Sequence, residues 1–83
     1  MSMNPRLTNV RTRPDYKLEL TFDNGECKEF DVSPYLAKGI FQELKDESYF
    51  ARARASLGTV AWPNGQDFCP DTLFEKSVRL SPI

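Results

Sequence analysis

The chain has 83 residues, of which 40% are hydrophobic and 28% are charged, with a formal net charge of −1. These values predict one globular domain over residues 1–83, ordered from about 5 to 78, and argue against nucleic-acid binding by the whole surface. The absence of His excludes Ser-His-Asp and Cys-His catalysis and His-ligated zinc within the chain. Two cysteines cannot form a four-cysteine metal site, so we expect no metal and no cofactor. Since the chain has no His and no recognised set of catalytic residues, we also expect no enzymatic activity.

The cellular compartment is inferred from hydropathy and cysteine usage. The sequence shows neither an apolar signal-peptide core nor a run of membrane-spanning length, so we expect a cytoplasmic protein that does not enter the membrane. In that compartment Cys27 and Cys69 should stay reduced, although a disulfide between them remains an alternative.

Three strands are predicted in the first half of the chain. Arg6–Arg13 is a weak strand in which Leu7 is out of phase, and Pro14-Asp15 fits the centre of a type I turn. In the second strand, apolar residues alternate strictly with polar ones, which is the clearest strand signal in the chain. These apolar residues are Tyr16, Leu18, Leu20 and Phe22.

The turn Asp23-Asn24-Gly25 sets the register of the third strand, about Glu26–Val32. A two-residue loop would place apolar residues opposite charged ones, whereas a three-residue loop places Leu18 opposite Phe30. Because a slip of one residue moves every side chain to the other face, we predict the three-residue loop, with Gly25 in the left-handed region.

Short helices should follow the third strand. Ser33-Pro34 combines a capping hydroxyl with a proline at the first helical position, and Asp46 can cap a helix over Glu47–Ala53. Between them we expect a helical turn that buries three side chains. These are Ile40, Phe41 and Leu44.

A second hairpin and a last helix complete the predicted fold. Residues 55–57 and 59–62 can pair across Gly58, Pro63-Asn64-Gly65 ends the second of these strands, and Pro70 starts a helix that runs to about Lys76. Residues 78–83 are expected to be a tail. The fold class is therefore α+β, with a three-stranded antiparallel meander, short helices, a second β-hairpin and a C-terminal helix.

The segment Thr59–Phe74 has the least ordinary composition, and four of its residues form the candidate binding site: Trp62, Asn64, Gln66 and Asp67. Trp62 should anchor the core, but an exposed Trp62 would instead mark a binding surface. Asp67 either caps the turn or, if partly buried, acts as a general acid or base or binds a ligand.

Two further groups of residues have both a structural and a functional interpretation. Cys69 lies where the last helix should begin, so it is either a reactive thiol or a small packing residue. Arg11, Arg13 and Lys17 are either a solvated strand face, balanced by acidic residues on neighbouring strands, or a nucleic-acid contact.

The sequence contains five runs that form a known pattern: FDNGE (22–26), FDVSP (30–34), GIF (39–41), LKD (44–46) and GTVAWPNGQDFCPDTLF (58–74). Together these runs resemble the bacterial domain of unknown function 2442 family. Within the last run, the pattern Trp-Pro-Asn-Gly-x-Asp-x-x-Pro is the most specific part. The resemblance covers nearly the whole chain.

This resemblance implies a setting for the protein and no catalytic residues. The family is similar to the N-terminal α+β domain of longer bacterial proteins that carry a helix-turn-helix, and stand-alone members look like partners in toxin–antitoxin-like pairs. Since Ile83 is reached without a helix-turn-helix, we expect no DNA binding by that route.

The expected function is that of a small interaction or regulatory module. It would be the antitoxin-like partner in a two-protein pair, or a homodimer that covers the edges of its sheet. One alternative is small-ligand binding or weak catalysis around Trp62, Asn64, Asp67 and Cys69, and a second is nucleic-acid contact through the basic residues named above.

Overall fold

The structure, a computed structural model, describes residues 4–80, which form two antiparallel sheets. The larger sheet has the order β1-β2-β3-β6, and the smaller one is the hairpin β4–β5. The strands are β1 (Leu7–Arg13), β2 (Lys17–Phe22), β3 (Cys27–Asp31), β4 (Arg54–Ser56), β5 (Thr59–Ala61) and β6 (Val78–Arg79).

Short helical segments connect and cover these sheets. Two 3₁₀ helices follow β3, at Ser33–Tyr35 and Gly39–Lys45, and helix α1 spans Glu47–Phe50. Helix α2 spans Pro70–Lys76, as predicted from its proline at the first helical position. The predicted α+β class, with its meander, second hairpin and C-terminal helix, is therefore confirmed.

The predicted register between β2 and β3 is also confirmed. Leu18 lies opposite Phe30, and the Val32 N–H donates to the Tyr16 carbonyl at 2.9 Å. The connecting loop is closed by the Phe22 N–H, which donates to the Glu26 carbonyl at 2.9 Å. Gly25 has a φ of 88°, so it adopts the left-handed conformation predicted for it, which glycine accommodates without strain.

Two details of β1 and the turn after it differ from the sequence prediction. Leu7 is buried opposite Phe22, because a register shift between Leu7 and Asn9 turns its side chain toward the core. The prediction of a type I turn at Pro14-Asp15 is wrong, because both central residues of such a turn have negative φ, whereas Asp15 and Tyr16 have φ values of 66° and 61°. Tyr16 consequently leaves the strand, and its ring packs edge-on against Phe50 at 5.4 Å between centroids.

The prediction that Ile40 is buried is wrong, because its side chain is 61% exposed. The segment is a 3₁₀ helix, in which residues three positions apart lie on one side. Phe41 and Leu44 share the inner side, with Leu44 fully buried, and Ile40 falls outside that row. Asp46 caps α1 as predicted, by accepting from the Ser48 N–H at 3.0 Å, although α1 ends at Phe50 instead of Ala53.

Two other boundaries are corrected. Ser33 does not cap the first 3₁₀ helix but lies inside it, and Asp31 accepts hydrogen bonds from both the Ser33 N–H and the Ser33 hydroxyl. Within the predicted tail, Val78 and Arg79 form β6 and pair with Glu29 and Lys28, and residues 81–83 lie outside the part of the chain that the structure describes.

One face of the large sheet packs on the core, and the other faces outward. Helix α2 lies on the inner face, where the ring of Phe74 meets Phe22 edge-on at 5.1 Å. Lys28 on β3 reaches the same helix and donates to the Phe74 carbonyl at 2.7 Å. The fully or nearly buried hydrophobic residues are Leu7, Leu18, Leu20, Phe22, Phe30, Val32, Leu44, Phe50, Val60, Trp62, Phe68 and Leu73.

Candidate functional site

The candidate site residues lie on a tight loop that follows β5. The Trp62 N–H donates to the Gln66 carbonyl at 2.9 Å, and the Gly65 N–H donates to the Trp62 carbonyl at 3.0 Å. Gly65 has a φ of 97°, and the loop repeats the hydrogen-bond pattern of the β2–β3 loop. Two Asn-Gly loops of the same length therefore turn the chain at two places in the fold.

Gln66 is fully buried and is held by hydrogen bonds at both ends of its amide. Its Oε1 accepts from the Tyr49 hydroxyl at 2.7 Å. Its Nε2 donates to the Glu43 carboxylate at 2.7 Å and to the Ile40 carbonyl at 3.0 Å. A buried amide with these partners connects the loop to the second 3₁₀ helix and to α1.

Asn64 completes this arrangement from the solvent side. Its backbone N–H donates to the Tyr49 hydroxyl oxygen at 2.8 Å, and its Nδ2 donates to the second carboxylate oxygen of Glu43 at 2.9 Å. We call these four residues the amide–carboxylate cluster: Glu43, Tyr49, Asn64 and Gln66. Within residues 4–80 no buried side-chain nitrogen or oxygen is left without a hydrogen-bond partner, so the cluster is internally satisfied.

Trp62 is a core residue and not part of an exposed surface. Its side chain is 2% exposed, and its Nε1–H donates to the Phe50 carbonyl at 2.9 Å. Its ring also lies 5.9 Å from that of Phe50 and 6.2 Å from that of Phe68. The indole therefore has both the apolar contacts and the polar partner that a buried Trp needs.

Asp67 and Cys69 lie outside the cluster. Asp67 is exposed, which argues against the alternative that required its partial burial, and its backbone forms a bridge with Ala61. Cys69 does precede α2 as predicted, but it is exposed, which contradicts the packing role expected for it. The structure thus brings Trp62, Asn64 and Gln66 into one packed region and leaves Asp67 and Cys69 at its surface.

Sequence reasoning missed Glu43 and Tyr49, which are the partners of the candidate amides. They lie 15 to 23 positions before the residues that they bind, in a segment where the polar positions follow no recognisable pattern. No local sequence signal could have identified them.

Two surface depressions lie away from the four candidate residues. One, of about 240 Å³, is bounded by residues 12–16 and by Glu47, Phe50 and Ala51. The other, of about 350 Å³, is lined by Gly25, Glu26, Cys27 and Arg79. In the part of the chain that the structure describes, no group of three His, Cys, Asp or Glu side chains could hold a metal ion.

The basic residues are interleaved with acidic ones on the outer face of the large sheet. Glu19 lies between Arg11 and Arg13, with Oε1 at 3.9 Å and 3.4 Å from their respective Nη1 atoms. Lys17 is paired in register with Asp31. This distribution fits a solvated strand face better than a surface for a phosphate backbone.

Two carboxyl groups at the β3 side of the sheet have perturbed acidity. Hydrogen bonds from the side chains of Asn24 and then Arg79 lower the pKa of Glu26. Partial burial raises the pKa of Asp31, but the hydrogen bonds from Ser33 and the charge of Lys17 outweigh it, and the net shift is downward. Both groups are therefore stabilised in their ionised forms by the fold.

A family model described as protein of unknown function DUF2442 matches residues 7–79. The chain belongs to this family. The match confirms the resemblance seen in the sequence and covers every strand and helix described above. No curated protein and no solved structure matches the chain. Within residues 4–80, no helix is long and apolar enough to span a membrane.

Proposed function

We propose that this DUF2442 chain is a small, non-enzymatic cytoplasmic module that binds a protein partner by strand addition at the β6 edge of its large sheet. In the finer form of the proposal, it is the antitoxin-like half of a two-protein pair. The observation that carries the proposal is the difference between the two edges of that sheet.

The β1 edge is covered at its start within the chain, and the exposed residues farther along β1, which include Arg11 and Arg13, are polar or charged. The Leu7 N–H donates to the Gly58 carbonyl at 3.0 Å, so the turn of the β4–β5 hairpin lies against the start of β1. At the opposite edge, residues 4–80 provide no strand beyond β6. An uncovered edge presents unpaired backbone groups to which another strand can bind.

The backbone groups of Arg79 are the ones that face this open edge. The Leu80 N–H donates to the Cys27 carbonyl at 3.0 Å, and Val78 pairs with Glu29. Because hydrogen-bonded and non-hydrogen-bonded pairs alternate in an antiparallel ladder, the N–H and C=O of Arg79 point away from β3.

Apolar side chains flank the same position. Val78 is 68% exposed and Leu80 is 39% exposed, and alternation along the strand places both on the outer face of the sheet. Two exposed hydrophobic residues on either side of free backbone groups are what an added strand would contact.

The alternative functions have less support from the contacts. A ligand site at Trp62, Asn64, Asp67 and Cys69 would need free polar groups in a cavity, whereas Trp62 and Gln66 are buried and hydrogen-bonded within the protein. Nucleic-acid binding would need a basic surface, whereas Glu19 lies beside Arg11 and Arg13.

Co-expression with the product of the neighbouring gene, followed by size-exclusion chromatography, tests the proposal. We expect a complex that the double substitution Val78→Lys and Leu80→Lys weakens at least about tenfold. Leu57→Lys is the matched control, because Leu57 is 88% exposed at the hairpin turn near the other edge. If no complex forms at micromolar concentrations, the two-protein form of the proposal is rejected.

A further inference from the structure

The sequence of the β6 edge is complementary to itself in one register. If two β6 strands pair antiparallel about a two-fold axis at Arg79, Val78 of each copy lies opposite Leu80 of the other. Two Val78–Leu80 pairs, one on each side of the axis, then bury these exposed hydrophobic side chains on the outer face. The outward N–H and C=O groups of the two Arg79 residues become a hydrogen-bonded pair.

The charges at this axis are compensated within each copy. Two Arg79 side chains directly opposite each other would repel, but each is bound by its own Glu26, with Nη2 to Oε2 at 2.7 Å. Asn24 also donates to Glu26, at 2.8 Å, and this contact holds the carboxylate beside the edge. Each Arg79 therefore keeps the Glu26 of its own copy as a partner, and this contact reduces the repulsion between the two guanidinium groups.

From these observations we infer that a second copy of this chain binds at β6, so that two four-stranded sheets join edge to edge into one continuous eight-stranded sheet. This inference rests on the proposed function, because it uses the same strand addition at the β6 edge, with a second copy of the chain in place of a different protein. The contact is short, and the dimer should be weak, with a dissociation constant on the order of 100 μM.

Disulfide trapping tests the register directly. In a Cys27→Ser and Cys69→Ser background, Arg79→Cys places two cysteines opposite each other with Cα atoms about 5.5 Å apart, within the range that a disulfide spans. Arg11→Cys is the control, since the Arg11 side chain is 74% exposed on β1, away from the proposed axis. We expect the dimeric fraction of Arg79→Cys after mild oxidation to exceed that of Arg11→Cys at least about tenfold.

Sedimentation of the unmodified protein tests the same contact without new cysteines. The weight-average mass should rise toward that of a dimer between about 10 μM and 1 mM, and Val78→Lys should remain a monomer with an unchanged circular dichroism spectrum. Equal trapping of the two cysteine variants, or a wild-type monomer at 1 mM, overturns the inference. The proposed function would survive either result if the complex with a different protein still depends on Val78 and Leu80.

Discussion

Gln66 donates a 2.7 Å hydrogen bond to the Glu43 carboxylate, which lies 23 positions earlier in the chain. Gln66 is fully buried whereas Glu43 is exposed, so this part-buried contact joins the loop after β5 to the second 3₁₀ helix at the edge of the core. One of the four candidate binding residues thus holds two parts of the fold together.

Gln66→Leu should lower the free energy of unfolding by about 2–3 kcal/mol. The substitution roughly keeps the side-chain volume but removes the donor to Glu43 and to the Ile40 carbonyl, and the acceptor for Tyr49. Urea unfolding followed by circular dichroism measures the change. Asn64→Ala is the control, because Asn64 is exposed and its replacement should cost about 1 kcal/mol or less. Equal costs for the two variants would contradict the buried role of Gln66.

Gln66→Glu probes the same contact through charge. It places a second carboxyl group against Glu43, so the variant should be much less stable than the wild type at pH 7. Protonation of the introduced carboxyl at low pH removes the repulsion and supplies a donor, so the difference in stability should shrink toward pH 4. A difference that is independent of pH would show that the two side chains are not in contact.

Trp62→Phe should cost about 1–2 kcal/mol, because it removes the indole donor to the Phe50 carbonyl while keeping most of the apolar contacts. Trp62→Ala should cost about 3–5 kcal/mol, which is comparable with the whole stability of so small a domain. Thermal unfolding measures both values. Leu57→Ala, at an 88% exposed position, should change stability by no more than about 0.5 kcal/mol.

Leu57→Asn should stabilise the protein by about 0.5–1 kcal/mol. Leu57 and Gly58 have φ values of 52° and 84°, and a two-residue hairpin turn with both angles positive favours Asn-Gly. The expected rise in Tm is about 2–8 °C for a chain of this size. In the opposite direction, Gly58→Ala should destabilise, since its Cβ would meet the Arg6 Cζ at 3.0 Å in a left-handed backbone. An unchanged or lower Tm for Leu57→Asn would count against the turn geometry.

Acid should weaken the fold through Glu26. Hydrogen bonds from Asn24 and Arg79 lower the pKa of this carboxyl in the folded state, so its contribution is complete above the unfolded-state value of about 4.3. That contribution is lost as the pH falls through the lower folded-state pKa. Arg79→Gln should therefore destabilise the protein at pH 7, and the gap to the wild type should close below about pH 4. Urea midpoints at low micromolar protein concentration measure the gap, and a constant gap would contradict this assignment.

The features predicted from the sequence are those set by neighbouring residues. Alternation in β2 and the Asn-Gly turn determine the pairing of Leu18 with Phe30, and Pro70 marks the start of α2. The burial of Trp62 follows from its size and its apolar surroundings in the sequence.

The features that the sequence did not predict are of two kinds. Some depend on contacts between residues far apart in the sequence, and others depend on whether a segment forms an α-helix or a 3₁₀ helix, whose periods are similar. Gln66 was recognised as unusual, but its partners Glu43 and Tyr49 become neighbours only in the folded chain. Ile40 was assigned to the core because helical and 3₁₀ spacing differ by less than one residue per turn. The strand β6 was missed because its two residues pair with Glu29 and Lys28, about fifty positions away.

The segment 39–50 has a further consequence for dynamics, because its backbone hydrogen bonds are almost all internal. Besides the buried side chains of Leu44 and Phe50, it is held to the remainder of the protein by side chains that reach its carbonyls: Tyr16 to Lys45, Gln66 to Ile40 and Trp62 to Phe50. Amide hydrogens in this segment and in the loop 62–66 should therefore exchange with deuterium at one common opening free energy, below that of β2. The two stretches would then open and close as a single cooperative unit while the meander stays folded.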